Sequence, residues 1–267
     1  MNKVYFMKVS TVIQGNNVML IQSDYHIHAA FYRIKKAGDI PGPTAAEQLT
    51  SARDAGSVYV GIVEHCNTAA KHPFSCLEEL SQEYYSAGFD RSNVFLGVES
   101  DLAEDGSDHC GFEGRKVLKL HYVIGSVHLS PALCSDCRAY IDSEYKRITN
   151  ALKHNDNIDI IGHPFGEGIR WERNELIPRW SWEMIPDSYL DDILHLAKES
   201  GKALEINRCN FEDSVYLDFL ARLRDEKILF EVGSDAHNTA ATVKAAERTK
   251  FLENMNFKEG QHWKISQ

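Results

Sequence analysis

The chain has 267 residues, 43% of them hydrophobic and 25% charged, the composition of an ordinary globular protein. Its 29 Lys and Arg stand against 39 Asp and Glu, and a net charge of −10 argues against a general nucleic-acid binder. No run approaches the roughly 18 apolar residues of a membrane span, and residues 1 to 10 lack the charged-then-apolar layout of a secretory leader. A reducing, cytoplasmic setting is therefore expected, with the six cysteines as thiols. The lone Cys134-x-x-Cys137 pair has no second pair at the spacing of a zinc site. Twelve histidines are the unusual count. No linker, repeat or low-complexity segment divides residues 1–267, which read as a single domain.

In chain order, residues 1–20 read as an extra strand or hairpin turning at Gly15-Asn16-Asn17. Asp24-Tyr25-His26-Ile27-His28 follows. On a strand, residues i and i+2 share a side, so both imidazoles can grip one ion. Thr44 caps a helix over 45–55, with Glu47 as capping-box partner and Gly56 as its stop. Val58–Val63 reads as a strand that runs into Glu64-His65. Val94–Val98 runs into Glu99, and Leu120–Val127 into His128. A helix over 139–154 leads to the strand Ile158–Gly162 and then His163. Residues 165–186, with Trp171, Trp180 and Trp182, form a long connection of the lid or binding-loop kind. The plainer account of the tryptophans is a packed cluster. A helix over 187–200 stops at Gly201. Ala203–Ile206 runs into Asn207-Arg208, and Ile228–Gly233 into Ser234-Asp235-Ala236-His237. A helix over 239–254 closes the domain.

This βα alternation implies a mostly parallel sheet or barrel, in which function collects at the strand C-termini. Strands far apart in sequence meet there, and nearly every one ends in a potential ligand. His26, His28, His65, Glu99, His128, His163, Asp235 and His237 are the candidates. Eight ligands exceed the needs of one ion and suit two or three divalent ions, zinc, manganese or iron, with Glu99 as the bridge. Asp24 and Glu64 read as groups that orient imidazoles. The other six histidines (72, 109, 121, 154, 195 and 262) read as structural or solvated.

The ordered set D-Y-H-I-H, V-E-H, G-V-E, G-S-V-H, G-H-P and G-S-D-A-H, spanning about residues 23 to 240, resembles the polymerase and histidinol phosphatase (PHP) family. G-S-V-H-L and E-I-N-R look most like its histidinol-phosphate phosphatase branch. The resemblance implies a distorted (β/α)7 TIM-like barrel with a trinuclear metal site. It implies His26, His28, Glu99 and Asp235 for the first ion, Glu99, His128 and His163 for the second, and His65 and His237 for the third. The family's further ligand after the H-x-H falls here on Ile34 and Lys35, which cannot supply it. Asp39 is the nearest carboxylate, and Lys35 could replace the ion electrostatically.

Such a site suits hydrolysis of a small phosphate monoester by a metal-activated hydroxide. Asp235 or His237 would supply or position the leaving group's proton. Arg170 matches an arginine that family phosphatases place near the phosphate, and Arg208 is a second candidate. Two other readings stay open: an amidohydrolase-like metal hydrolase, and a binding or regulatory module with an incomplete third site. A strand-end lysine suited to carboxylation is missing for the first. The second leaves the cost of so many unpaired buried ionisable groups unexplained.

Overall fold

The computed structural model describes residues 19–29, 43–67, 74–129, 136–207 and 211–265. Nearly all of the expected N-terminal hairpin, the loop carrying Ile34, Lys35 and Asp39, and Arg208 lie outside them.

Parallel strands form the centre: β1 (Ser23–His28), β2 (Tyr59–Val63), β3 (His65–Cys66), β4 (Val94–Asp101), β5 (Tyr122–Ser126), β6 (Ile160–Ile161), β7 (Ala203–Ile206) and β8 (Phe230–Val232). They pair in the order β1-β2-β4-β5-β6-β7-β8, and β3 pairs with β4. Because β3 continues β2 past Glu64, the sheet has seven strand positions among the described residues. A parallel bridge between Ile27 and Ala236 nearly closes the ring. The His28 N–H donates to the Ala236 carbonyl at 2.9 Å, and the Ala236 N–H to the His26 carbonyl at 3.3 Å. This is the expected TIM-like α/β barrel.

Eight helices among the described residues cover the strands: α1 (Ala45–Asp54), α2 (Phe74–Ser86), α3 (Gly111–Leu118), α4 (Cys137–His154), α5 (Glu167–Arg173), α6 (Asp187–Ser200), α7 (Ser214–Asp225) and α8 (Val243–Asn254). The Thr44 capping box forms as its sequence dictates. The Glu47 N–H donates to Thr44 Oγ1 at 3.1 Å, and the Thr44 N–H to Glu47 Oε2 at 2.7 Å. Gly56 then takes a φ of +101°, which a side chain would resist. The helix expected over 239–254 begins as a short 3₁₀ turn (Thr239–Ala241) before α8.

The connection over 165–186 is folded, not an open lid. It contains α5 and a 3₁₀ turn (Trp182–Met184), and all three tryptophans are buried. Trp171 and Trp180 pack on Tyr140, with ring centroids 4.7 and 5.4 Å away. Trp182 packs on Tyr216 and Phe219.

Tyr25, Phe95, Tyr122, Ile124, Ile160 and Ala203 fill the lower end of the barrel. A Cβ on Gly61 or Gly97 would run into the Tyr122 ring, so glycine lets this ring cross the interior. The apolar plug leaves the upper end, at the strand C-termini, for polar side chains.

Candidate metal centre and its cleft

The eight ligand candidates converge on that upper end. His26 and His28 end β1, His65 lies on β3, and Glu99 lies on β4 directly beside it in register. His128, His163, Asp235 and His237 follow β5, β6 and β8 within a few residues. Glu99 is fully buried at the centre. Its Oε1 lies 2.9 Å from His163 Nε2 and 3.3 Å from His128 Nε2. Its Oε2 lies 2.8 Å from His65 Nδ1, 3.3 Å from His28 Nε2 and 3.4 Å from His26 Nε2. Asp235 Oδ1 lies 3.3 Å from His28 Nε2 and 3.7 Å from His26 Nε2. Three groups could each hold an ion: His26, His28 and Asp235; His65, Glu99 and His128; and His28, His65 and His237. Two positions accept backbone strain to reach the cluster. His163 has a φ of +27° and Asp235 one of +53°, both in the left-handed region that side chains resist.

Carboxylates behind the rings set their orientation. His26 Nδ1 donates to Glu205 Oε1 at 2.7 Å, His28 Nδ1 to Glu64 Oε1 at 3.2 Å, and His128 Nδ1 to Asp101 Oδ1 at 2.6 Å. Glu205 also accepts the His163 N–H at 2.7 Å, fixing the strained turn. Gly233 gives this carboxylate its room, since a Cβ there would meet both Glu205 and the His26 Cβ. Asp24 does not hold an imidazole. It accepts the Ser234 N–H at 2.9 Å and the His26 N–H at 3.3 Å, tying the end of β8 to β1. Burial pushes its carboxyl up to about 7. Sequence reasoning missed Glu205 and Asp101, although each left a signal. Glu205 interrupts the otherwise apolar, fully buried run of β7, and Asp101 follows Glu99 by two residues, on the same side of β4.

The donor chemistry fits a cation. The Nδ1 protons of His26 and His28 are committed to Glu205 and Glu64, so in the neutral rings both Nε2 atoms present lone pairs. Yet these atoms face each other at 3.1 Å. Two lone pairs at that distance repel unless a positive charge lies with them. Ligand atoms on one tetrahedral zinc ion sit about 3.3 Å apart, given bonds of about 2.0–2.1 Å. The separations among His26 Nε2, His28 Nε2 and Asp235 Oδ1, 3.1 to 3.7 Å, match that edge. The surrounding carboxylates show the same demand for positive charge. Burial alone disfavours an imidazolium, but Asp235, Glu64 and Glu99 together raise His28 to about 10. Burial beside His28 holds His237 down, at about 3.

A cleft of about 640 Å³ opens onto Asp235 and His237. Arg170 lines it, half-exposed, with its Nε 3.0 Å from Glu167 Oε2. Arg173, Lys244 and Arg248 line it too, and sequence reasoning did not single them out. The tryptophans do not reach it.

No protein-family model matches the chain. A probable phosphatase of Caldanaerobacter subterraneus subsp. tengcongensis is 26% identical over 172 residues, 62% of this chain and 59% of that protein. Probable phosphatases of Thermoanaerobacter sp. and Thermoanaerobacter pseudethanolicus are each 30% identical over 173 residues, 62% of this chain and 61% of theirs. The chain thus spans about three fifths of the length of the curated relatives it matches. The crystal structure of histidinol phosphate phosphatase from Lactococcus lactis subsp. lactis, complexed with zinc, L-histidinol and phosphate, aligns with a TM-score of 0.56. The alignment covers 90% of this chain and 95% of that one at 17% identity, a likeness of fold. The chain therefore has the barrel fold of histidinol phosphate phosphatase, which is the fold that the resemblance carried by the motifs implies.

Proposed function

We propose that the chain is a metal-dependent phosphatase that hydrolyses a small phosphate monoester. The observation that carries this reading is the pair of imidazole Nε2 atoms facing each other at 3.1 Å beside Glu99 and Asp235. The probable phosphatases among its relatives support it. His26, His28 and Asp235 would hold one ion, Glu99, His128 and His163 a second, and His65 and His237 a third. Divalent ions bound there would make a water acidic enough to attack near neutral pH and would neutralise phosphoryl oxygens.

The chain's own residues do the rest. Glu205, Glu64 and Asp101 keep each Nδ1 protonated and each Nε2 turned inward. Arg170 offers the cleft a planar guanidinium for phosphate oxygens. Asp235 and His237 border the same cleft, and either can supply or position the proton that the departing alcohol needs. The test is turnover of 4-nitrophenyl phosphate, then of histidinol phosphate, by the purified protein with manganese, zinc or iron. Hydrolysis inhibited by inorganic phosphate is the expected result. No turnover with any of the three metals overturns the reading.

A further inference from the structure

We infer that the substrate's alcohol half carries a second anionic group, a carboxylate or another phosphate, and that Arg173 and Lys244 receive it. The inference rests on the phosphatase reading for the phosphate end alone. Among the described residues four cationic side chains line the cleft, and two of them have other tasks. Arg170 lies 3.0 Å from Glu167, and Arg248 is buried with its guanidinium donating to the Gly233 carbonyl. Arg173 and Lys244 are exposed and make no ion pair with a described residue. They come from different helices, the last turn of α5 and the first turn of α8, and line one opening.

Lys244 also occupies an unfavourable position for stability. The N-terminal turn of a helix carries partial positive charge and favours an acid, yet α8 has none there and has a lysine instead. Lysine charge and helix field add toward the cleft, a poor choice for folding and a good one for an anion. Apolar surface lies in the same cleft. Ile169 lines it with Phe211, whose ring stacks on Phe251 at 3.8 Å. Among the described residues the opposing acid is Glu247, one turn beyond Lys244. Asp235 faces the metal centre. The lining therefore suits a molecule with a phosphate at one end, a short organic body and a second anion. It opposes an amine-bearing alcohol such as L-histidinol.

The experiment titrates manganese-loaded protein by calorimetry with four non-hydrolysable ligands that share one ring. They are phenylphosphonate, 4-carboxyphenylphosphonate, 1,4-phenylenebisphosphonate and 4-(aminomethyl)phenylphosphonate. The second anion should tighten binding about tenfold, the scale of one charge-assisted contact. The carboxylate and bisphosphonate arms show which anion is preferred, and the amine should weaken binding. In the Arg173→Ala/Lys244→Ala double variant the ratio of doubly to singly anionic affinity should fall toward one. Lys244→Arg should keep it. A ratio near one in the unsubstituted protein, tightest binding by the amine, or a ratio that survives the double substitution overturns the inference. Failure of the phosphatase reading appears separately, as absent turnover of 4-nitrophenyl phosphate.

Discussion

Glu205→Gln tests the centre most sharply, because it changes charge and proton placement and leaves volume nearly constant. Glu205 is buried and accepts three N–H donors: His26 Nδ1 at 2.7 Å, Asn207 Nδ2 at 3.1 Å and the His163 backbone at 2.7 Å. A glutamine has one acceptor oxygen and one NH₂. If the NH₂ faces His163, a buried backbone donor loses its acceptor, at a cost of about 1–3 kcal/mol. If it faces His26, the ring can accept at Nδ1 only by moving its proton to Nε2, the atom that faces the ion site. Either way, ion affinity should fall about 10–100-fold, the range found when a partner behind a metal-binding histidine is removed. That equals about 1.4–2.7 kcal/mol. Competition with a chromophoric chelator measures the affinity, elemental analysis the stoichiometry, and circular dichroism the fold. An intact fold with weakened metal binding is expected. Affinity within threefold of the unsubstituted protein, together with a lower Tm, would refute the argument and leave Glu205 a structural residue.

Other consequences follow from the same geometry. Glu99→Gln removes the carboxylate on which five imidazoles converge. It should lower bound metal by elemental analysis and cut phosphatase turnover by at least about 100-fold. Stripping metal with a chelator should lower Tm by about 5–10 °C, since an ion at 100 times its Kd stabilises by about 2.7 kcal/mol. An unchanged melting curve would contradict a resident ion. Burial alone would raise Glu259, but His262, Lys264 and the Ile21 N–H hold it down at about 2. A depressed carboxyl stabilises the fold above its ordinary 4.5, and that stability disappears as pH falls from 4.5 to about 2. Glu259→Gln should therefore cost about 1 kcal/mol at pH 6, discounted for partial exposure, and the Tm gap should close by pH 2. A gap independent of pH would show that charge is not its source. In Gly168→Ala the new Cβ meets the Trp180 ring. It should destabilise by about 1–3 kcal/mol in a melt, while metal content per folded chain stays the same.

The barrel was legible because each parallel strand is buried on both faces and reads as a short apolar run. Against such a run, an ionisable residue at the C-terminal end stands out, as Glu99 does after VFLGV. The same contrast failed inside strands. β4 continues through Glu99 to Asp101, paired with Ile124 and Ser126, because polar residues that face the cluster still join the ladder. The working pair Glu99 and Asp101 thus looked like a strand followed by a loop. Helix α7 escaped notice although Asp213 caps it, accepting the Val215 and Tyr216 N–H groups at 3.0 and 3.2 Å. Its buried face, Tyr216, Phe219, Leu220 and Leu223, has the helical spacing of three and four residues. Arg173 and Lys244 left no local signal. A cation lining a cleft has the same neighbours in sequence as one facing open water, and only the placement of α5 and α8 distinguishes them.

The excess of acid would oppose the proposed anionic substrate if it were spread evenly, but its distribution removes the conflict. Asp24, Glu64, Glu99, Glu144, Glu167, Glu205 and Glu231 are buried at 0–3% exposure. Burial favours the neutral form of some of them: Asp24 rises to about 7, Glu144 to about 8 and Glu231 well above its ordinary value. Others are matched by imidazoles, as Glu99 and Glu205 are, and both lie below their ordinary values because burial is outweighed by those rings. None of these lines the cleft, where Arg170, Arg173 and Lys244 stand with the carboxylates Asp235 and Glu247. An approaching anion responds to that local field, not to the net charge. Each divalent ion would add two further positive charges beside Asp235 and His237. Metal binding and anion binding are then linked, and by reciprocity whatever the ions contribute to phosphate affinity, phosphate returns to the affinity for the ions.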